Sequence, residues 1–367
     1  MKIGVIGLGK LGLPLALVLS KEFDVVGVEL SKERIDKIRN KDFKGYKEKN
    51  LMKYLNKYKF TTKQSFYKLK ECDVVFCIVP TPSKSNGEFT NDYIKKAIKY
   101  SKPYLKKNSV FVITSTVMPG SCQKLKRLLP KSVDIAYNPE FIALGNVIEG
   151  IEKPDFVLIG ADDTETLNKV ENVYFYITNS PIKRMSLKSA ELTKIALNSF
   201  VTMKISFANS IGRLSELHKA SAKDILEALG TDKRIGNKYL KAGSPFGGPC
   251  FPRDNRAMKR VYNKANIKHY FCEITDNINT DTKWSIYYKI KEKLKKGMKV
   301  SIIGTSYKIG TEEKTESAGI WMAETLEQLG YKVYMDEIPS DCDLAVFMLP
   351  IKRKVPLGVE VLNIWQK

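Results

Sequence analysis

The first thirty residues contain the pattern that most limits how this chain can fold. A short apolar segment, Lys2–Ile6, runs into the turn Gly-Leu-Gly-Lys-Leu-Gly at residues 7–12. An apolar helix over residues 13–19 and a second strand, Asp24–Val28, follow before Glu29. Strand, glycine turn, helix, strand and acid in this order are typical of a βαβ unit that binds a dinucleotide. The pattern therefore predicts a doubly wound α/β domain at the N-terminus.

The chemistry of this turn indicates which dinucleotide it binds. Its glycines permit a tight bend and the close approach of a pyrophosphate to the start of the helix. Glu29 can accept hydrogen bonds from a ribose and would repel a 2′-phosphate, so we expect NAD rather than NADP. The residues predicted to line the cofactor here are Gly7, Leu8, Gly9, Lys10, Leu11, Gly12 and Glu29.

Buried strands continue to alternate with helices in the following residues. Further strands are predicted over residues 73–79, 109–114, 133–136 and 155–159. Ligands of a doubly wound sheet lie at the carboxyl ends of its strands, and Thr81, Thr116 and Glu140 follow three of these strands. For each of the three alone, a helix cap or a turn is the alternative interpretation.

The pattern changes to one long proline-free helix over residues 187–219. Lys194 and Asn198 are four residues apart and so project from one face of it, as a polar pair or as part of a solvated stripe. A second βα unit without a GxGxxG turn begins at residue 299. We expect an α/β protein with two Rossmann-like doubly wound domains joined by a central helical segment with one long helix. The predicted domains are residues 1–185, 186–295 and 296–367.

Residues 243–255, Gly-Ser-Pro-Phe-Gly-Gly-Pro-Cys-Phe-Pro-Arg-Asp-Asn, place a cysteine at a predicted helix start. Pro252 fits the first turn, where its missing N–H costs nothing. The helix dipole and the charge of Arg253 favour the thiolate of Cys250. Asp254, four residues later, shares a helical face with it. The pattern indicates an activated nucleophile beside a carboxylate, with a buried structural cysteine as the alternative.

Composition excludes several other kinds of site. The only histidines are His218 and His269, so we expect no histidine-rich metal site and no serine–histidine–aspartate triad. Six scattered cysteines without a CxxC pair indicate neither a zinc ribbon nor a disulfide framework, and favour the cytoplasm. No apolar run is long enough to span a membrane. The net charge of +22 is spread along the chain, so nucleic-acid binding is not the expected function.

Several short motifs occur in a set order along the chain: GLGKLG, VPTP, STVMPG, NPEF, the Lys194/Asn198 pair, RIGNKYL, FGGPCFPRD and Tyr307-Lys308. On these motifs the chain resembles the UDP-glucose/GDP-mannose dehydrogenase family over nearly its whole length. The resemblance implies oxidation of a nucleotide sugar's C6 alcohol to a carboxylate with two NAD. It also implies a homodimer formed through the central segment, with UDP-glucose as the favoured substrate.

The resemblance assigns roles by position. Cys250 is the nucleophile that forms a thiohemiacetal and then a thioester, with Lys194 and Asn198 as oxyanion donors. The residues that support thioester hydrolysis are Asp254, Glu140 and Thr116. The further cofactor contacts are Arg34, Thr81, Thr116 and Arg253. The substrate contacts are Glu140, Phe141, Lys194, Asn198, Arg234, Tyr239, Lys241, Phe246, Gly247 and Lys308, of which Arg234 reaches the neighbouring subunit.

Two positions depart from the family pattern. Leu144 stands where the family has a second glutamate, and Thr315 where it has an arginine. Both changes bear on the affinity for NAD.

The sequence leaves more than one function open. GDP-mannose is the alternative substrate, while Phe-Pro-Arg-Asp after the cysteine argues against UDP-N-acetylmannosamine. Two further hypotheses change the class of protein. One is a two-electron 3-hydroxyacid dehydrogenase, which has no use for Cys250, and the second is a non-catalytic binder that kept the fold.

Overall fold

The computed structural model describes residues 1–43, 47–142, 144–268 and 270–365, so His269 lies outside the described residues. The chain divides into two compact units, Met1–Ile195 and Ala196–Lys367. Within the described ranges, no helix is both long and apolar enough to cross a membrane.

The strands are named in chain order. They are β1 (Lys2–Ile6), β2 (Asp24–Val28), β3 (Thr61–Lys63), β4 (Val74–Cys77), β5 (Val110–Ile113), β6 (Asp134–Tyr137), β7 (Val157–Gly160), β8 (Ile182–Met185), β9 (Lys299–Ile303), β10 (Lys332–Met335), β11 (Leu344–Phe347) and β12 (Glu360–Asn363).

The α-helices are named in the same way. They are α1 (Gly12–Leu19), α2 (Lys32–Asn40), α3 (Leu51–Lys57), α4 (Asp92–Ser101), α5 (Ser121–Lys126), α6 (Val147–Glu152), α7 (Thr164–Phe175), α8 (Leu187–Leu217), α9 (Ala222–Thr231), α10 (Phe251–Lys264), α11 (Phe271–Lys293) and α12 (Ala318–Gln328). Short 3₁₀ helices cover Phe66–Glu71 and Lys102–Tyr104.

The first unit is built on one sheet of strand order β3-β2-β1-β4-β5-β6-β7-β8. From β3 to β6 all neighbours are parallel, in the order of a dinucleotide-binding domain. Among the described strands of this sheet, the pairing of β6 with β7 is the one antiparallel pairing, through Tyr137 and Gly160. Separate apolar clusters cover the two faces of the sheet, as expected for strands that are apolar throughout. The predicted doubly wound fold is confirmed.

The second unit contains the rest of α8, helices α9 to α11 and a parallel sheet of order β10-β9-β11-β12. The core of this sheet includes Val300 and Ile302 of β9, which pack with Ile290 of α11 and Met322 of α12. This is the second Rossmann-like fold that the sequence predicts. The division into three domains ending at residues 185, 295 and 367 stays a prediction.

Most predicted strands occur within one or two residues of their expected ends. Strands β1 and β2 have the predicted bounds, and β9 begins at the predicted residue 299. The sequence interpretation missed β3 and β8. Both are short, and their side chains are exposed or only half-buried, so they lack the continuous apolar run of a central strand.

Candidate active site

The glycine turn between β1 and α1 has the shape that a bound pyrophosphate requires. Gly7 has φ +90°, a conformation that favours glycine. A Cβ on Gly12 would collide with the Gly7 carbonyl oxygen, so the helix packs closely against the strand end. A Cβ on Gly9 would instead meet nothing within 4 Å. The turn therefore leaves an open cradle at the N-terminus of α1, and these residues fit the phosphates of NAD.

The acid at the end of β2 is tied to the same turn. Glu29 accepts hydrogen bonds from the backbone N–H groups of Leu8 and Ser31, both at 2.9 Å. The Arg34 side chain donates from Nε to the carbonyl oxygen of Leu8 at 2.8 Å. Glu29 and Arg34, both predicted to contact the ribose of NAD, are thus held at one side of the cradle, next to Leu8.

Side-chain hydroxyl groups connect the segments that follow β4 and β5 by hydrogen bonds. The Ser115 hydroxyl accepts from the Val79 N–H at 3.0 Å and donates to the Val79 carbonyl oxygen at 2.7 Å. The Thr81 hydroxyl donates to the carbonyl oxygen of Thr116 at 2.8 Å. Thr81 and Thr116, which the sequence places after separate strands, are therefore brought together at one edge of the sheet.

Glu140 follows β6 and lies between a phenol and an ammonium group. Its carboxyl Oε1 is 3.0 Å from the Tyr174 hydroxyl. Lys194 of α8 donates from Nζ to the Glu140 backbone oxygen at 2.7 Å, and its ammonium lies 4.7 Å from the centre of the Phe141 ring. Burial raises the pKa of Glu140 to about 7, against the opposing effects of the Tyr174 contact and of Lys194. This carboxyl can therefore exchange a proton near neutral pH.

The polar pair on α8 lies on the buried face of that helix. Lys194 and Asn198 are 8% and 7% exposed, whereas Leu192 is 42% exposed. A solvated stripe is therefore excluded for the two polar side chains. Burial of an ammonium is costly unless it is hydrogen-bonded, which for Lys194 the Glu140 carbonyl oxygen provides.

Glu191 is a site residue that the sequence interpretation missed. It is fully buried near the start of α8, three residues before Lys194. Its carboxylate accepts from the N–H groups of Gly120 and, at 2.6 Å, Cys122. Glu191 thereby joins the helix that carries Lys194 to the N-terminus of α5, just after the loop that contains Thr116. Only its position one turn before Lys194 could have indicated this role.

In the second unit, Cys250 is the N-cap residue of α10 and is exposed. The predicted helix start is confirmed, with Pro252 in the first turn. Asp254 is fully buried and donates its N–H to the Cys250 carbonyl oxygen at 2.8 Å. Its carboxylate accepts from Asn198 Nδ2 at 2.6 Å and from Arg253 Nε at 3.1 Å. Asp254 thus links α8 to the turn that presents the thiol.

Buried amides, which the sequence interpretation also missed, hold the loop before Cys250. Asn209 of α8 accepts from the Gly243 N–H at 2.8 Å. Asn279 of α11 accepts from the Phe246 N–H at 2.8 Å and donates to the Phe246 carbonyl oxygen at 3.0 Å. A loop without regular structure keeps its backbone groups paired in this way, so it reaches Cys250 in a fixed conformation.

A cavity of about 460 Å³ opens beside this loop. Its walls combine aromatic rings with two lysines, which suits a planar base and phosphate groups. The predicted substrate residues among its walls are Tyr239, Lys241, Phe246, Gly247 and Lys308. Phe251, next to Cys250, and Tyr307 also line it. The structure therefore gathers five predicted substrate residues around one space.

Comparison with known proteins identifies the family. The models of the UDP-glucose/GDP-mannose dehydrogenase family match residues 1–178, with the NAD-binding domain, and residues 188–281, with the central domain. The chain is 32% identical over 347 residues to UDP-glucose 6-dehydrogenase of Rickettsia bellii, covering 90% of this chain and 79% of that protein.

The chain belongs to this family.

Solved structures agree in fold. A UDP-glucose dehydrogenase of Pyrobaculum islandicum matches with TM-score 0.90 at 24% identity, over 99% of this chain and 94% of the other. A UDP-N-acetylmannosamine dehydrogenase of Pyrococcus horikoshii matches with TM-score 0.87 at 20% identity, over 100% and 99%. The protein is accordingly an NAD-dependent oxidoreductase of the nucleotide-sugar dehydrogenase class, and its first unit contains the NAD-binding domain.

Arg234 lies outside the groups of site residues described above. Leu144 and Thr315 are the two positions that depart from the family pattern. Arg234 is exposed and pairs with Asp232 of its own loop, with 2.5 Å between Nη2 and Oδ2. Leu144 packs against the apolar core of the first unit. The Thr315 hydroxyl donates to Glu313 Oε1 at 2.5 Å. The backbone carbonyl oxygen of Thr315 accepts from the Gly248 N–H at 2.9 Å. Thr315 therefore supports the glycine pair that precedes Cys250.

Proposed function

We propose that this protein is a UDP-glucose 6-dehydrogenase, which oxidises UDP-glucose to UDP-glucuronate through covalent intermediates on Cys250. The placement of Cys250 carries the proposal. The thiol is exposed at the N-terminus of α10, and its neighbour Phe251 lines the aromatic cavity with Gly247. A helix N-terminus favours a thiolate, which is the nucleophilic form. The name of the Rickettsia bellii relative supports UDP-glucose as the substrate.

The chain's own residues would supply the covalent chemistry. NAD held at the glycine turn with Glu29 and Arg34 would supply the oxidant, taking one hydride at each oxidation. The first oxidation turns the C6 alcohol into an aldehyde, and the alcohol proton passes to water. The Cys250 thiolate adds to the aldehyde carbon to give a thiohemiacetal, and oxidation of that adduct gives a thioester. Water then attacks the thioester carbonyl and releases the thiolate with the carboxylate product. No metal or histidine takes part in these steps.

Lys194 and Asn198 are proposed as the oxyanion donors. The alkoxide and the thiohemiacetal oxygen carry negative charge, which a preorganised ammonium and amide stabilise most effectively when they are shielded from water. The two groups lie one helical turn apart on α8 and are both buried. Their bonds to the Glu140 backbone oxygen and to Asp254 support this role because they fix each donor before substrate arrives.

Hydrolysis of the thioester is assigned to Glu140, Asp254 and Thr116. With a pKa near 7, Glu140 can take the proton of the attacking water at neutral pH. Asp254 is already engaged by Asn198 and Arg253, which supports a positioning role more than proton transfer.

We further propose a cytoplasmic homodimer. Phe200, Phe207 and Leu214 recur at intervals of seven on α8, and each is exposed. A helix with an apolar stripe at this spacing pairs readily with a second copy of itself. Arg234, exposed on its loop, would then be available to the partner's nucleotide sugar. A reducing compartment keeps Cys250 as a thiol.

The experiment is a substrate panel. The protein is incubated with NAD and, separately, UDP-glucose, GDP-mannose or UDP-N-acetylmannosamine, and NADH is followed by its absorbance. We expect the highest kcat/KM with UDP-glucose. A higher value with either other sugar would replace the substrate assignment, and NADH formation with none of a broad set of nucleotide sugars would reject the function.

A further inference from the structure

Two buried polar side chains of the first unit form a hydrogen-bonded chain that ends at Glu140. Asn138, two residues before it, is 1% exposed, and Tyr174 of α7 is 2% exposed. The Tyr174 hydroxyl lies 2.6 Å from Asn138 Oδ1 and 3.0 Å from Glu140 Oε1. A phenol has one hydrogen, so it can donate fully to only one of these two oxygens. The other contact needs a hydrogen from elsewhere.

The orientation of Asn138 decides where the phenol hydrogen goes. Asn138 Nδ2 donates to the carbonyl oxygen of Leu158 at 2.9 Å, and this bond turns Oδ1 towards Tyr174. An amide oxygen can only accept, and a buried amide oxygen that is left without a donor is destabilising. The shorter of the two contacts is also the one to Oδ1. The phenol hydrogen is therefore committed to Asn138.

We propose that Glu140 is protonated in the free protein and donates to the Tyr174 oxygen, and that Asn138 and Tyr174 are positioning residues that hold this proton. The role of the proton rests on the proposed function, because it concerns the carboxyl that serves thioester hydrolysis. The hydrogen-bond pattern itself belongs to the free protein and does not depend on the substrate.

Burial of the carboxyl agrees with this pattern. Burial raises the pKa of Glu140 to about 7, and burial also raises the pKa of Tyr174, so the phenol keeps its hydrogen. Among the described residues, the titratable groups that face Glu140 are Tyr174 from α7 and Lys194 from α8. A hydrogen donated by Tyr174 would favour the carboxylate and lower the pKa, as the ammonium of Lys194 does, and the titration below distinguishes that arrangement from the proposed one.

Because its hydrogen is committed to Asn138, Tyr174 offers Glu140 an acceptor and no donor. Loss of the carboxyl proton to solvent therefore removes the hydrogen bond between Glu140 and Tyr174. The carboxylate regains this bond when it takes the proton of the attacking water. Tyr174 thus favours the protonated form of Glu140.

The test is an infrared titration of the ligand-free protein. The carboxyl band of Glu140 is assigned by its loss in Glu140→Gln, and its midpoint is measured in the wild type and in Tyr174→Phe. If Tyr174 accepts the carboxyl proton, its removal destabilises the protonated form, and the midpoint falls from near 7 towards the ordinary value of about 4.3. If Tyr174 instead donates to a carboxylate, the midpoint rises. A rise or an unchanged midpoint overturns the proposal.

Two further variants keep the test specific. Tyr54→Phe is the matched control, because Tyr54 bonds to Glu152 at 2.6 Å in the same unit, and it should leave the Glu140 midpoint unchanged. In Asn138→Leu the phenol hydrogen is free to turn to Glu140, so the midpoint should fall although Tyr174 is present. If the phenol already donated to Glu140, Asn138→Leu would leave the midpoint unchanged, which also overturns the proposal.

Kinetics separate this proposal from the proposed function. In an active enzyme, Glu140 must lose its proton to act as a base, so kcat rises with pH through its pKa. Tyr174→Phe should therefore move the acid limb of the kcat profile to lower pH. If the infrared midpoint shifts but the acid limb of the kcat profile does not move, Glu140 is not the base of the reaction. That result would contradict its assignment to thioester hydrolysis. A protein without dehydrogenase activity still gives the infrared result.

Discussion

The two glycine turns of this protein use the same backbone device for different purposes. In the first unit, Gly7 ends β1 with φ +90° and lies against Gly12 of α1. In the second unit, Gly304 ends β9 with φ +97°, and a Cβ on Gly319 of α12 would collide with its carbonyl oxygen. An acid follows the next strand in both units. The shared geometry brings a helix N-terminus close to a strand end in each.

The turns differ in what lies between the glycines and in how the acid is used. The first turn is short and leaves Gly9 open, whereas the second is extended to residues 305–317 and contains Tyr307 and Lys308 of the cavity. Asp336 is occupied within its own turn by the N–H groups of Gly304 and Thr305 and by the Thr305 hydroxyl. One fold thus provides a bare phosphate cradle in one unit and a wall of side chains in the other.

The largest effect that separates the turns is expected from alanine at the close-packed glycines. Gly12→Ala should abolish NAD binding while the second unit still binds nucleotide sugar, because the added methyl group forces α1 away from the first turn. Gly319→Ala should abolish nucleotide-sugar binding while the first unit still binds NAD. Calorimetric titration of each folded variant with each ligand measures both. Loss of NAD binding in both variants would mean that the second turn also serves the cofactor.

A smaller effect is expected from the two acids. Glu29→Ala should lower the preference for NAD over NADP by about tenfold or more, because it removes a charged acceptor for the ribose and the repulsion of a 2′-phosphate. The preference is measured as the ratio of kcat/KM for the two cofactors. Asp336→Ala is the matched control in the second unit and should leave the ratio unchanged. An equal change of this ratio in both variants would contradict the claim that the two acids are used differently.

The smallest effect tests whether the cavity of the second unit is complete within one chain. Arg234→Ala should raise KM for the nucleotide sugar a few-fold, because one exposed ion pair contributes little, with kcat and thermal stability nearly unchanged. The physical reason is that Arg234 is exposed and pairs with Asp232 of its own loop, so its guanidinium can be reached by a partner. A large fall in thermal stability would instead make Arg234 a structural residue of its loop.

The elements that the sequence predicted well are those with a strong local pattern. The glycine turn, the apolar strands β1, β2 and β9, and the long helix α8 each have a continuous signal in adjacent residues. The start of α10 at Cys250 was also predictable, since proline and an acid in the first turn are local signals too.

The contacts that complete the site join residues far apart in the chain, and spacing does not reveal them. Glu191 accepts hydrogen bonds from residues some seventy positions earlier. Asn279 of α11 accepts a hydrogen bond from Phe246, which lies in the loop before α10. Tyr174 and Glu140 become partners only after α7 packs on the sheet. A buried glutamate, asparagine or tyrosine looks like any polar residue in the sequence. Its role depends on a hydrogen-bond partner that the tertiary fold supplies.

The count of NADH formed per UDP-glucose consumed, taken to completion with NAD in excess, tests the central claim most directly. Covalent catalysis by Cys250 predicts two, with UDP-glucuronate as the product and no aldehyde accumulating. Cys250→Ala should form no acid, because the second oxidation requires the thiohemiacetal. A count of one in the wild type, with an aldehyde or ketone accumulating, would contradict the account and favour a two-electron dehydrogenase.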